Sequence, residues 1–236
     1  MSQYIVKTEN LIKKFNNVNS VDKVNLKVRE GEVYGFLGPN GAGKSTTIKM
    51  ILGLIKPNSG KISVFGKSIK DNREEILKDI GALVESPSYY GHLTAYENLE
   101  ILRRVLKVSK NEIEEKLKLV NLWDAKNKKV REFSLGMKQR LGIAQALMGN
   151  PKLLILDEPF VGLDPKASHI LKEEMKKLCS EGVAIFFSTH VLEVAEKLCD
   201  KVAIIKDGNI VSQGKMDEVK GNSSLEDIFM ELIDNE

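Results

Sequence analysis

The apolar positions of this chain change their period from one stretch to the next. Early on, Val24, Leu26 and Val28 alternate with polar residues, as in a half-buried strand, and Glu30-Gly31 turns the chain into a short buried strand over residues 32–37. Beyond a glycine-rich stretch, Ile48, Ile51, Leu52 and Ile55 recur at helical spacing, with no proline before Pro57. Pro57-Asn58-Ser59-Gly60 then reads as a turn leading into a strand over 61–65. The middle of the chain is helical. Thr94-Ala95-Tyr96-Glu97 and Ser109-Lys110-Asn111-Glu112 both fit the capping box, in which hydroxyl and carboxylate each accept a free backbone N–H at a helix start. Leu99, Leu102 and Leu106 continue the first box as a core stripe, and Ile113, Leu117 and Val120 continue the second. Ser134 predicts the N-cap of a third helix, with Leu141, Ala144, Leu147 and Met148 on one face and Gly149-Asn150-Pro151 as its stop.

From there strands and helices alternate. Strands are expected over 153–156, 183–188 and 202–206, and helices around 170–178 and over 191–198. Asp207-Gly208 folds the last of these strands into a hairpin with Ile210 and Val211. A short amphipathic helix is expected over 225–232. This alternation predicts an α/β fold on a mainly parallel sheet, with an antiparallel β lobe at the N-terminal side and a helical lobe inserted at about residues 90–148. No internal repeat, low-complexity tract or linker interrupts it. The expected organisation is one domain over 1–215, followed by a tail over 216–236 with one short helix.

Composition narrows the class. A length of 236 residues accommodates one large domain with a sizeable core. The net charge of +3 is too small to argue for nucleic acid or an anionic membrane surface, and the basic cluster at 126–129 reads as a solvated loop. Cys179 and Cys199 form no Cys-x-x-Cys pair and read as the reduced thiols of a cytosolic protein. The start, Met1-Ser2-Gln3-Tyr4, lacks a cationic and apolar signal region. No apolar run approaches the roughly 18–20 residues needed to cross a bilayer. If the protein serves a membrane, another chain is expected to do the spanning.

The glycine-rich stretch, Gly38-Pro39-Asn40-Gly41-Ala42-Gly43-Lys44-Ser45-Thr46, fits the spacing of a phosphate loop and lies between a strand and a helix, the context such a loop requires. Glycines let successive N–H groups point into one concavity, and the new helix adds the positive end of its dipole. Lys44 is positioned to reach the β- and γ-phosphates, and the Ser45 hydroxyl to sit on Mg²⁺. The expected core is therefore that of a P-loop NTPase. Residues 153–156 deliver Asp157 and Glu158 at a strand's carboxyl end, where open parallel sheets place ligands. Asp157 suits the Mg²⁺ site opposite Ser45, and Glu158 suits a general base beside an attacking water.

Asp157-Glu158-Pro159, Gly162-Leu163-Asp164 and Ser188-Thr189-His190, all after Ser134-x-Gly136-x-Lys138-Gln139-Arg140, resemble the ATPase subunit of an ABC transporter in order and spacing. The likeness runs from about Leu11 to Gln213. It implies that Phe15 stacks on adenine and that Ser134 and Gly136 form a signature loop closing on the γ-phosphate bound to a second subunit. It also implies that Asp164 lies in the loop crossing between subunits, and that His190 is the switch histidine at the γ-phosphate. Two departures stand out. The signature reads Phe133-Ser134-Leu135-Gly136-Met137 where Leu-Ser-Gly-Gly-Gln is commonest. Glu85 stands where most members place a glutamine that touches Mg²⁺ and the attacking water. Both departures resemble the bacitracin- and lantibiotic-resistance branch of the family. The implied protein is an ATP- and Mg²⁺-dependent ATPase at the cytoplasmic face of the membrane. It would form a head-to-tail homodimer, with integral membrane subunits as partners and no nucleic acid. The segment from Glu85 to Leu93, with Tyr89 and Tyr90, is its expected docking surface.

Other readings fare less well. Soluble ABC-type ATPases of DNA or ribosomes carry tandem domains or a long coiled coil, and this chain has neither. A guanine-reading Asn-Lys-x-Asp is absent as well. An ATP-binding regulatory module with weak turnover stays open at this stage because of Glu85.

Overall fold

The computed structural model describes residues 4–85 and 89–234. The chain runs β1 (Tyr4–Phe15), β2 (Val18–Val24), β3 (Lys27–Arg29), β4 (Val33–Leu37), α1 (Lys44–Ile51), β5 (Ser59–Val64), β6 (Lys67–Ser68), α2 (Ile69–Leu77), β7 (Ile80–Leu83), α3 (Ala95–Leu106) and α4 (Lys110–Leu119). It continues through α5 (Leu135–Ala146), β8 (Leu153–Asp157), α6 (Pro165–Ser180), β9 (Ala184–Thr189), α7 (Leu192–Leu198), β10 (Lys201–Lys206), β11 (Asn209–Lys215), α8 (Met216–Lys220) and α9 (Leu225–Asp234).

Two sheets organise these elements. The central one has the order β11-β10-β4-β9-β8-β7, parallel throughout except for the hairpin strand β11. The other is antiparallel, in the order β2-β1-β5-β6, with β3 pairing the opposite end of β1. Helices α3, α4 and α5 fall between β7 and β8. The expected α/β architecture, with a mainly parallel sheet and an N-terminal antiparallel layer, is the one observed.

Strand alternation builds two cores, one on each face of the central sheet. In β9, Ala184 and Phe186 enter the core shared with the antiparallel sheet and α1, whereas Ile185 and Phe187 enter the core shared with α3–α7. In β8, Leu153 and Ile155 face the first core, and Leu154 and Leu156 the second. Both sets are fully buried, so the strand reads as a continuous apolar run. Truncating one such aromatic to alanine typically costs about 3–5 kcal/mol. This doubly packed middle makes the carboxyl ends of β4, β8 and β9 a rigid rim.

Several expectations are corrected. Val24, Leu26 and Val28 are all fully buried, but they do not form one strand: β2 ends at Val24, Leu26 lies in the break, and β3 begins at Lys27 as the chain changes its pairing along β1. Helix α1 stops at Ile51 rather than running to Ile55, because Gly53 adopts a left-handed φ of 64° just beyond its end. The Thr94 capping box forms as expected, with Glu97 N–H donating to Thr94 Oγ1 and Thr94 N–H to Glu97 Oε2. The Ser109 box does not form. Its Glu112 is buried and accepts instead from the Gly149 N–H at 2.5 Å, tying α4 to the turn after α5. Helix α6 starts at Pro165, earlier than expected, with Asp164 as its N-cap. Elements β6, α2 and β7 are not expected from the sequence, and the tail over 216–236 holds two helices, α8 and α9, where one is expected, with Met216 and Leu225 buried in the core shared with α3–α7. Strand β7 packs so closely on α5 that a Cβ at Gly81 would lie 1.9 Å from the Ala146 carbonyl oxygen, so only glycine fits there.

Candidate active site at the ends of the parallel strands

Strand β4 ends at Leu37 and the phosphate loop begins. Gly43 is as tightly enclosed as Gly38 and is the more constrained of the two in its backbone. Its φ is 106°, and a Cβ there would stand 2.4 Å from the Ser20 carbonyl oxygen, so a side chain is excluded by both backbone conformation and space. Gly41, at φ 84°, completes the curl, with Pro39 and Asn40 between it and the buried Gly38. Ala42 is buried, and its carbonyl accepts from the Gly208 N–H of the hairpin turn at 3.0 Å. Thr46 Oγ1 receives a hydrogen bond from Ser20 Oγ, which pins the first turn of α1 to the antiparallel sheet.

Lys44 is almost wholly buried. Its Nζ donates to the carbonyl oxygens of Gly38 (2.6 Å) and Pro39 (3.1 Å) and lies 3.5 Å from Glu158 Oε1. Asp157 is buried at the end of β8, and its Oδ1 accepts from Ser188 Oγ at 2.5 Å. Glu158 follows with a left-handed φ of 50°, a conformation non-glycine residues seldom adopt. Its Oε2 lies 2.9 Å from His190 Nδ1, while Oε1 is buried with no hydrogen-bond partner. A buried carboxylate oxygen without a donor is costly unless something else supplies one. A water or a metal-bound water at that point would do so. The Gln139 side-chain amide of α5 donates to the carbonyls of both Glu158 and Pro159 at 3.3 Å, linking the helical region to the same turn.

A cleft of about 820 Å³ opens in front of these groups, lined by Ser45, Glu85, Asp157 and Glu158 on one side and by Leu135, Lys138 and Gln139 on the other. Glu85 follows β7 with φ 55°, and its largely exposed carboxylate is ion-paired with Lys49, one turn along α1 from Ser45. Among the described residues no three His, Cys, Asp or Glu gather as an all-protein metal cage. The oxygen donors present, the Ser45 hydroxyl and the Asp157 carboxylate, suit Mg²⁺, which is ordinarily held by one or two protein oxygens plus phosphates and waters.

The remaining candidates lie apart from this group in their bonding. Ser134 caps α5, its Oγ accepting from the Met137 N–H at 3.3 Å, and it is exposed. Gly136 sits against the loop after β8, where a Cβ would come within 2.6 Å of the Gly162 carbonyl oxygen. Asp164 Oδ1 accepts from the Ala167 N–H at 2.8 Å. Phe15 ends β1 beside the left-handed pair Asn16-Asn17; it is half exposed, and the Lys13 ammonium lies 5.1 Å from its ring centre. Val18, opposite Phe15 across the hairpin, is also exposed.

The two tyrosines separate. Tyr89 turns inward and donates to the Lys138 carbonyl at 2.5 Å, and burial pushes its phenol well above the usual range. Tyr90 is exposed, edge-on to His92. Of the segment between Glu85 and Leu93, Ser86, Pro87 and Ser88 lie outside the described residues. Sequence reasoning missed Ser188, Gln139 and Lys49. Ser188 and Gln139 are visible within the motifs Ser188-Thr189-His190 and Ser134-x-Gly136-x-Lys138-Gln139-Arg140, which do not disclose their partners, and nothing local marks Lys49.

A family model described as ABC transporter matches residues 21–161. The bacitracin transport ATP-binding protein BcrA of Bacillus licheniformis is 48% identical over 92% of this chain and 71% of its own length. The lantibiotic transport ATP-binding protein SrtF of Streptococcus pyogenes is 40% identical, with 97% of each chain covered. Among solved structures, an ATP-binding cassette described as a dimer in a post-hydrolysis state bound to ADP and Pi superposes with a TM-score of 0.82 at 30% identity, over 89% of this chain and 98% of that one.

Proposed function

This chain belongs to the ABC transporter family as one of its ATP-hydrolysing subunits, and on that premise we propose that it powers clearance of a peptide antibiotic of the bacitracin or lantibiotic class through separate integral membrane subunits. The names of its relatives support the cargo class. Among the described residues no helix is long and apolar enough to cross a membrane, which is why the proposal assigns the spanning to other chains.

The observation that carries the mechanism is the Glu158 carboxylate, held between Lys44 and His190, with its buried Oε1 ion-paired to Lys44 at 3.5 Å but accepting no hydrogen bond. Phe15 offers a flat face for the adenine. The loop N–H groups and Lys44 take the phosphates, Lys44 exchanging the Gly38 and Pro39 carbonyls for phosphate oxygens. Ser45 and Asp157 hold Mg²⁺, with Glu85 within reach of the same cleft. Mg²⁺ held there would supply neutralisation of the charge that develops on the phosphates. Glu158 accepts the proton of the attacking water, and the His190 ring holds that carboxylate in place. Ser134 is exposed and Gly136 half-buried beside it at the start of α5; by the family resemblance they serve the phosphate of a second copy arranged head to tail, while Asp164 lies in the loop at that junction.

Deleting the chain from the cell that encodes it tests the whole reading. The deletion should raise sensitivity to bacitracin or to a lantibiotic, and it should be rescued by the wild-type chain but not by Lys44→Ala. Unchanged sensitivity to both classes would reject the cargo assignment. Failure to recover integral membrane subunits with the tagged chain from detergent extracts would reject the partners.

A further inference from the structure

We propose that Ser188 is a positioning residue that fixes both acidic groups of the site at once, an inference that rests on the roles given above to Asp157 and Glu158. Ser188 is fully buried in β9, directly opposite Asp157 of β8 in the sheet register. Its hydroxyl donates to Asp157 Oδ1 at 2.5 Å and accepts from the Glu158 N–H at 3.0 Å; the same N–H also approaches the Ser188 carbonyl at 3.2 Å. A hydroxyl has one proton to give, and here the burial leaves no water to compete for it.

Two consequences follow. Asp157 has one oxygen committed to Ser188, so its other oxygen is the one available to a cation beside Ser45. Glu158 has its N–H anchored in a left-handed backbone conformation that non-glycine residues seldom adopt. Two residues further on, just past the end of β9, His190 grips the Glu158 carboxylate. Strand β9 thus carries the restraint and β8 carries the chemistry. The preceding residues of β9, Ala184 to Phe187, are apolar and fully buried, and the Ser188 hydroxyl bonds only to groups of the site.

The test compares Ser188→Ala, Ser188→Val and Ser188→Thr in the purified full chain. Valine and threonine have nearly the same shape, so any crowding is common to both and only the hydroxyl differs. Two readouts are needed: steady-state kcat and KM for ATP, and Mn²⁺ affinity measured by electron paramagnetic resonance with a non-hydrolysable ATP analogue bound. Partners that orient a metal ligand typically contribute about 10–100-fold in affinity or activity. Alanine and valine should each lose kcat and Mn²⁺ affinity in that range with little change in KM, and threonine should restore both to within about threefold. Equal losses in valine and threonine would assign the effect to packing and overturn the proposal, as would an alanine variant with wild-type Mn²⁺ affinity. Asp157→Asn serves as the control. If it leaves Mn²⁺ binding intact, the metal role of Asp157 fails and the role of Ser188 falls with it. If only the serine variants are silent, the metal role survives and the positioning role does not.

Discussion

Replacing Glu158 by glutamine isolates the proton-accepting role of the carboxylate, because the amide keeps the shape and removes only charge and basicity. Its carbonyl oxygen can still accept from His190, and Lys44 still has the Gly38 and Pro39 carbonyls, so the change strands no buried cation. The fold should therefore tolerate it. A positioned general base contributes about 10²–10⁴ in rate. At about 1.36 kcal/mol per tenfold, this corresponds to about 2.7–5.4 kcal/mol of barrier. The loss should appear in kcat, with ATP affinity unchanged or tighter, because the site no longer presents a negative group toward the polyphosphate. Single-turnover hydrolysis measures the first quantity and equilibrium nucleotide binding the second. Light scattering with Mg²⁺ and ATP supplies a third readout. With nucleotide no longer consumed, the proposed two-chain, two-nucleotide assembly should accumulate where the wild type passes through it. Turnover within about threefold of wild type would refute the base assignment. A parallel fall in ATP affinity would show that the carboxylate only shapes the pocket. A strictly monomeric variant at every concentration would refute the shared-site arrangement.

Other substitutions probe the separate parts. Phe15→Ala should weaken ATP binding by the about 1–3 kcal/mol of one base-stacking contact, with Phe15→Tyr close to wild type, as isothermal titration would read. Gly136→Ala should abolish hydrolysis and ATP-driven association while leaving monomer ATP affinity intact, because the added methyl meets the Gly162 backbone and not the phosphate loop. Glu85→Gln breaks an exposed pair with Lys49, so it should cost under about 1 kcal/mol of stability and keep ATP affinity within a few-fold, yet change transport per ATP in a reconstituted transporter. Burial and then Asp200 raise the Cys199 thiol well above its ordinary pKa; burial and then Asp200 and Glu32 also raise Cys179. The thiolate is the reactive form, so alkylation of the native protein at pH 8 should be slow at both and become fast in denaturant, as mass spectrometry would follow.

What could be read from the sequence, and what could not, divides according to how far apart the interacting groups lie along the chain. The phosphate loop, the Thr94 box and the Asp207-Gly208 hairpin are each determined within a few residues, by φ freedom or by one hydroxyl and one carboxylate, and their geometry follows their spacing. The Ser109 box has the same spacing and fails, because the Gly149 N–H, 37 residues away, takes Glu112. Nothing local could disclose that competition. Helix α2 was invisible because only Ile69 and Ile76 are buried along it, too sparse to make a stripe. Strand β7 was invisible because it is four residues long and owes its extended form to pairing with β8. The site shows the same division. Lys44, Asp157 and Glu158 announce themselves by type and spacing. Ser188 is visible as the first residue of Ser188-Thr189-His190, but its partners emerge only when β8 and β9 are laid side by side in register. Gln139 is likewise visible as part of a motif, but its contact with the turn at Glu158 depends on how α5 docks against the sheet. Sequence spacing names the groups that do the chemistry, whereas the groups that hold them still are fixed by strand register and helix docking.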